Sequence, residues 1–164
     1  MKLRVKLRFL VEEDIPLIQQ YVSSKEISST TNVPDPYPEN GAREWFTTVS
    51  KEKQAGNHYA FAILADNKFA GSISVRRERD GIGAIDYWIA PAFWNRGIAT
   101  KAGEEAISFG QMELGFVAFE TFCLVENMGS TRVLEKLGFE VVEDFVLEPG
   151  EKHQGKFARL YRLG

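Results

Sequence analysis

Residues 2–10 alternate charged and apolar side chains, the period of two that a half-exposed strand requires. Glu12-Glu13-Asp14 then places acids at a helix start, and Ile15, Leu17, Ile18, Tyr21 and Val22 recur at helical spacing to about residue 22. Residues 23–40 are polar and hold Pro34, Pro36 and Pro38, so this stretch is expected to be mostly loop. A second helix is predicted over 39–53, with Trp45, Phe46 and Val49 facing inward. Three strands follow at 57–65, 68–77 and 83–90. Asp66-Asn67 and Arg79-Asp80-Gly81 are turn-prone separators, which makes the three an antiparallel meander. A helix over 97–114 ends at Gly115 as its C-terminal cap. A strand at 116–124, a helix at 127–137 closed by Gly138, and strands at 139–147 and 155–163 complete the chain. The last two strands are joined around Pro149-Gly150.

These elements sum to one α+β domain over 1–164: a mixed, mostly antiparallel sheet of six to seven strands flanked by about four helices. No repeat, low-complexity tract or linker divides the chain. Its 164 residues can bury a core of their own, and 44% hydrophobic with 26% charged residues is an ordinary globular balance. No apolar run approaches the roughly 20 residues that span a bilayer, so no membrane role is expected. The alternating N-terminal residues lack the apolar stretch of a signal peptide, which makes the cytoplasm the expected compartment.

Charge and sulfur narrow the chemistry further. The single cysteine, Cys123, excludes an intrachain disulfide and a cysteine-based metal cluster, and sits in an apolar run as a buried structural thiol would. His58 and His153 show no metal-ligand spacing, so no metal is expected. A net charge of −3 argues against nucleic acid as the main partner. Lys2, Arg4, Lys6 and Arg8 share one strand face and read as a solvated basic row.

The stretch Trp94-Asn95-Arg96-Gly97-Ile98-Ala99-Thr100 carries the strongest chemical signal. It follows an apolar strand and opens a long helix, so its unpaired amides and the positive end of the helix dipole can meet one anion, such as a pyrophosphate. Gly97 lets the backbone approach closely, while Arg96 and Lys101 add positive charge. A dinucleotide-binding fold would use the same device, but the Gly-x-Gly-x-x-Gly spacing is absent and the preceding strands are antiparallel.

At this point the chain resembles the GNAT superfamily of N-acetyltransferases, whose acetyl-coenzyme A loop has the pattern Gln/Arg-x-x-Gly-x-Gly/Ala. Gly97 and Ala99 match it, and Trp94 stands where Gln or Arg is usual. A Trp after an aromatic is typical of the RimJ/RimL branch, the ribosomal-protein N-terminal acetyltransferases. That branch also shows an Asn-x-x-Ser segment running into Leu-Glu-Lys-x-Gly-Phe, here Asn127-Met128-Gly129-Ser130 and Leu134-Glu135-Lys136-Leu137-Gly138-Phe139. Leu7-Arg8, Pro36-Tyr37-Pro38 and Ala42-Arg43-Glu44-Trp45 extend the likeness over nearly the whole chain.

The resemblance implies acetyl-coenzyme A as co-substrate, with the amides of Asn95, Arg96, Gly97, Ile98, Ala99 and Thr100 on its pyrophosphate. The strand Tyr87-Trp88-Ile89 would pair by its backbone with the pantetheine arm and splay from the strand at 118–124 to make room. A backbone N–H near Ile89 would stabilise the oxyanion, and Asn127 would hydrogen-bond the coenzyme A arm. Asn127 and Ser130 are equally good capping residues, and Phe93, Trp94 and Trp88 equally good core residues.

The same resemblance shows departures. Many members carry a Tyr in the last helix as general acid, and Leu134 stands there; Ser130 is the candidate replacement. A thiol pKa near 8.5 makes the thiolate a tolerable leaving group, so a strong acid is not essential. Lys101 and Gly103 also differ from the branch. Asp86 and Glu78 are the candidate bases, with an exposed sheet carboxylate as the rival reading for each. Five acids between Glu140 and Glu151, with no Lys or Arg among them, could form a rim attracting a cationic amine, or simply a solvated loop.

The expected activity is transfer of acetyl from acetyl-coenzyme A to a primary amine, such as a protein N-terminus, by direct attack in a ternary complex. A small-molecule acceptor (polyamine, amino acid or antibiotic amine) and a non-catalytic coenzyme A-binding module are the alternatives, and a homodimer is an open option.

Overall fold

The computed structural model describes residues 3–164, so Lys2, first in both the predicted strand and the basic row, lies outside them. In chain order the elements are β1 (Val5–Phe9), a 3-10 turn (Glu12–Asp14), α1 (Ile15–Val22), α2 (Lys25–Ser28), α3 (Gly41–Gln54), β2 (His58–Ala65), β3 (Lys68–Arg79) and β4 (Ile82–Ile89). A second 3-10 turn (Pro91–Phe93), α4 (Ile98–Leu114), β5 (Ala118–Leu124), α5 (Met128–Lys136), β6 (Glu140–Val146) and β7 (Phe157–Leu163) follow.

Two local differences from the sequence reading have physical reasons. The acids at 12–14 form a 3-10 turn, because the Asp14 carboxylate accepts from the Val11 amide at 2.9 Å and holds a tight turn before Pro16 starts α1. The loop at 23–40 contains α2, a single turn anchored by buried Ile27. One apolar residue gives no period to read.

All seven strands form one sheet in the order β1-β2-β3-β4-β5-β7-β6. The first four make the antiparallel meander, and β5, β7 and β6 pair antiparallel to one another. Among the described residues only β4 and β5 run parallel, and they pair only at Ile82–Ala118 and Gly83–Phe119. Beyond Gly83 the strands part, the splay that the resemblance implied.

Strand alternation sorts the side chains onto two faces. Phe61, Ile63, Ile73, Val75, Ile85 and Ile89 join Ile98, Ala102, Ala106 and Ile107 of α4 in the main core. On the opposite face Ile15, Ile18 and Val22 of α1 pack with Ala42, Trp45 and Phe46 of α3 and with Trp88 of β4. That second face is not apolar throughout: Ser72, Ser74, Arg76 and Asp86 occupy it between α3 and the splay.

The basic row is not uniformly solvated. Arg8 grips Asp14, itself 3% exposed, through paired bonds of 2.8 and 2.9 Å. No helix among the described residues is long and apolar enough to cross a membrane.

Candidate active site

A cleft of about 760 Å³ runs from the polar sheet face through the splay to α5. Its floor is His58, Ser72, Ser74, Arg76, Asp86 and Trp88. Glu44, Trp45 and Thr48 of α3 and residues 30–34 stand over it, and Thr121, Cys123, Asn127 and Ser130 line its far end. Thr121 Oγ1 donates to the Ile85 carbonyl at 2.9 Å, closing the base of the gap.

That bond fixes which backbone groups of β4 are free. Donor and acceptor groups alternate sides along a strand. The Ile85 carbonyl faces β5, so the amides and carbonyls of Tyr87 and Ile89 face the gap. Trp88 faces β3, where a side chain at Gly71 would collide with its carbonyl, and the Ala90 amide bonds Ala70 at 2.7 Å. Of the three residues expected to pair with an incoming arm, Tyr87 and Ile89 therefore offer backbone groups. Trp88 contributes packing, its ring 6.2 Å from that of Tyr21 and 6.1 Å from that of Phe69.

Trp94 acts as a strut. Its ring is 43% exposed, yet Nε1 donates to the Ile89 carbonyl at 2.6 Å. The bond ties the turn before α4 to the end of β4 and occupies the Ile89 carbonyl, leaving the Ile89 N–H.

The turn itself alternates handedness. Asn95 and Gly97 both have positive φ, 61° and 75°, which turns successive amides toward one concavity. Helix α4 has no side-chain cap, and its first backbone bond runs from Lys101 to Gly97. The amides of Ile98, Ala99 and Thr100 remain open to an external acceptor, and those of Asn95, Arg96 and Gly97 make no backbone bond among the described residues. Arg96 lies over the Phe93 ring, 5.9 Å from its centroid, and keeps its charge beside the turn.

Helix α5 is capped, in contrast: Asn127 Oδ1 accepts from the Ser130 amide at 3.2 Å. The Asn127 Nδ2 group stays free to donate. Ser130 Oγ accepts from the Tyr87 hydroxyl at 3.1 Å. Burial pushes the Tyr87 phenol up to about 12, so it stays protonated and acts as a donor.

The two carboxylates expected as bases occupy different places. Asp86 lines the cleft with its carboxylate bonded to Arg76 Nε and Nη2, while Glu78 stands outside the lining, 3.7 Å from Arg76. None of the five acids between Glu140 and Glu151 lines the cleft. Asp144 bonds Arg159 on the neighbouring strand, and Glu151 caps its own turn at the Glu148 amide. Leu147 and His153 alone reach the cleft from this region, and Glu44 and Asp86 are its acids. Sequence reasoning missed Arg76, Glu44, the Tyr87 hydroxyl and any role for His58 beyond a metal ligand. The available signal was in β3, where Ser72, Ser74 and Arg76 alternate with Ile73 and Val75 on a strand buried on both faces.

Comparison with known proteins fits this geometry. Residues 4–140 match the family model described as acetyltransferase (GNAT) domain. The chain is 24% identical over 163 residues to the uncharacterized N-acetyltransferase p20 of Bacillus licheniformis, covering 96% of this chain and 90% of that one. Among solved structures, the RimL ribosomal L7/L12 alpha-N-protein acetyltransferase in complex with coenzyme A superposes with a TM-score of 0.88 at 18% identity, covering 97% of this chain and 93% of RimL. The spermidine N-acetyltransferase of Vibrio cholerae, in complex with coenzyme A and spermine, gives 0.83 at 18% identity, with 97% and 94% covered.

Proposed function

The chain belongs to the GNAT family of acetyltransferases, and on that premise we propose that it transfers acetyl from acetyl-coenzyme A to a primary amine by direct attack in a ternary complex. The observation that carries this reading is the parting of β4 and β5 after Gly83. It leaves the Tyr87 backbone and the Ile89 N–H without a strand partner, and the α4 that follows opens with amides that make no backbone bond.

The residues fit the co-substrate. The amides from Asn95 to Thr100 would hold its pyrophosphate, Tyr87 and Ile89 its amide-bearing arm, and Asn127 Nδ2 a further carbonyl. When bound, it supplies the acyl group as a thioester. The Ile89 N–H would meet the developing oxyanion, while the Ile89 carbonyl is held by Trp94. Ser130 would deliver the proton that the departing sulfur needs, with Tyr87 holding its hydroxyl in place.

The acceptor would enter from the α3 side. Two carboxylates, Glu44 and Asp86, face one guanidinium there, a balance that favours a cationic amine such as a protein N-terminus. A small polyamine satisfies the same charge and remains the second reading. Thiol release from acetyl-coenzyme A, measured against peptides with free N-termini, polyamines and aminoglycosides, decides between them. Intersecting initial-rate lines are expected for the ternary complex, and parallel lines would refute it. Tight coenzyme A binding with no acceptor-dependent thiol release would make the protein a non-catalytic module.

A further inference from the structure

His58 opens β2 with its ring on the polar sheet face. It stands in register with Arg76 of β3, the strand that separates it from Asp86 of β4. Its Nδ1 lies 2.9 Å from Glu52 Oε2 near the end of α3. The residue is 9% exposed and lines the cleft, yet Nε2 has no hydrogen-bond partner among the described residues.

A buried ring nitrogen without a partner costs about 1–3 kcal/mol and calls for an explanation. The ionised Glu52 carboxylate only accepts, so it selects the tautomer with the proton on Nδ1. Nε2 then carries a lone pair: the orphan atom is a base. Burial pushes the imidazole below its ordinary 6.5 against the pull of Glu52, so the ring is neutral at pH 7. The other charged groups acting on it are Asp86, which favours the imidazolium, and Arg76, which opposes it. Asp86 itself has both oxygens engaged by Arg76.

We propose that His58 is the proton acceptor for the incoming amine, an inference that rests on the acetyl-transfer reading above. An ammonium N–H bond breaks and an Nε2–H bond forms, directly or through one water. The imidazolium is balanced by Glu52, whose side chain is 46% exposed, and the proton passes on to solvent. The neutral amine then attacks the thioester carbonyl. As the C–S bond breaks, Ser130 gives its proton to the sulfur and regains one as the amine's second proton passes to it, directly or through one water, so charge and atoms balance. The His58–Glu52 pair thus forms a proton exit on the side of the cleft away from the thiol.

The test compares the native chain with His58→Gln and Glu52→Gln, reading kcat/KM for thiol release against pH with an amine acceptor. Acetyl-coenzyme A affinity by titration and thermal melting serve as controls. The native profile should show an acidic limb below pH 6.5, where His58 becomes protonated. His58→Gln should lose about 100-fold in kcat/KM and flatten that limb, with acetyl-coenzyme A affinity within about two-fold of native. Glu52→Gln keeps the ring and should shift the limb to lower pH, because the imidazolium loses its counter-charge. A His58→Gln variant with native rate and an unmoved limb overturns the proposal alone. If His58→Gln does not fold, an unmoved limb in Glu52→Gln overturns it. A native chain that releases no thiol with any acceptor overturns the transfer reading, and this one with it.

Discussion

The Tyr87 hydroxyl lies 3.1 Å from Ser130 Oγ, joining β4 to the first turn of α5 across the mouth of the parted strands. The phenol, pushed up to about 12 by burial, keeps its proton and donates it to Ser130 Oγ, so the serine's own proton points elsewhere. Ser130→Ala is expected to lower kcat and kcat/KM together by about 10- to 100-fold, with Tyr87→Phe milder. Steady-state thiol release checks the rates, and titration should find acetyl-coenzyme A affinity unchanged. A Ser130→Ala enzyme with native kcat would remove the serine from proton delivery.

Gly97 separates strain from ligand contact. Its φ is +75°, and an added Cβ would meet nothing within 4 Å. Gly97→Val therefore strains only the backbone, at a cost of about 1–2 kcal/mol. The new side chain would stand beside the amides proposed to hold the pyrophosphate. The dissociation constant for acetyl-coenzyme A is expected to rise about 30-fold, which corresponds to about 2 kcal/mol. Calorimetric titration beside a thermal melt distinguishes the two effects; native affinity would contradict the placement.

What could be read from the chain was local. The β2–β3 hairpin was legible because Asp66 and Asn67 take the positive φ values, 48° and 66°, that their residue types favour. The turn at 94–100 was legible because a glycine opening a helix is a covalent fact. Elsewhere the meaning lay in pairing. Glu140 to Glu151 stayed open between an acidic rim and a solvated loop because Arg159, which binds Asp144, arrives on the next strand. Trp94 marked a branch in the sequence, but its strut to the Ile89 carbonyl exists only in the fold. His58 gained a role only through its register with Arg76 and its bond to Glu52, and neither is written in spacing.

Two glycines inside α4 should respond differently to alanine. A Cβ at Gly110 would sit 2.7 Å from Phe119 Cζ and 3.2 Å from Phe116 Cδ2, rings fixed edge to face in the core. At Gly103 it would sit 2.6 Å from Leu137 Cδ1, the end of a flexible side chain. Alanine gains about 1 kcal/mol of helix propensity at either site. Overpacking against the rings costs about 1–3 kcal/mol, so Gly110→Ala should be destabilising and Gly103→Ala close to neutral. Urea midpoints decide it, and equal shifts at both sites would refute the distinction.

The Arg8–Asp14 pair should leave a mark on stability against pH. Burial works to raise the Asp14 carboxyl, but hydrogen bonds from Arg8 and the Val11 amide outweigh it and hold it below 3.8. A carboxyl lowered on folding contributes its full stability above 3.8 and loses it as pH falls through the folded value. In Arg8→Met the partner is gone, and burial, the largest influence on the carboxyl, outweighs the remaining Val11 amide and raises it. The sign reverses: that variant is penalised at neutral pH and relieved on acidification. Arg8→Met is therefore expected to be about 3 kcal/mol less stable at pH 7, with the deficit shrinking toward about pH 3.5. Urea unfolding at the two pH values measures the deficit, and one that does not change with pH would assign the loss to packing of the arginine stem instead.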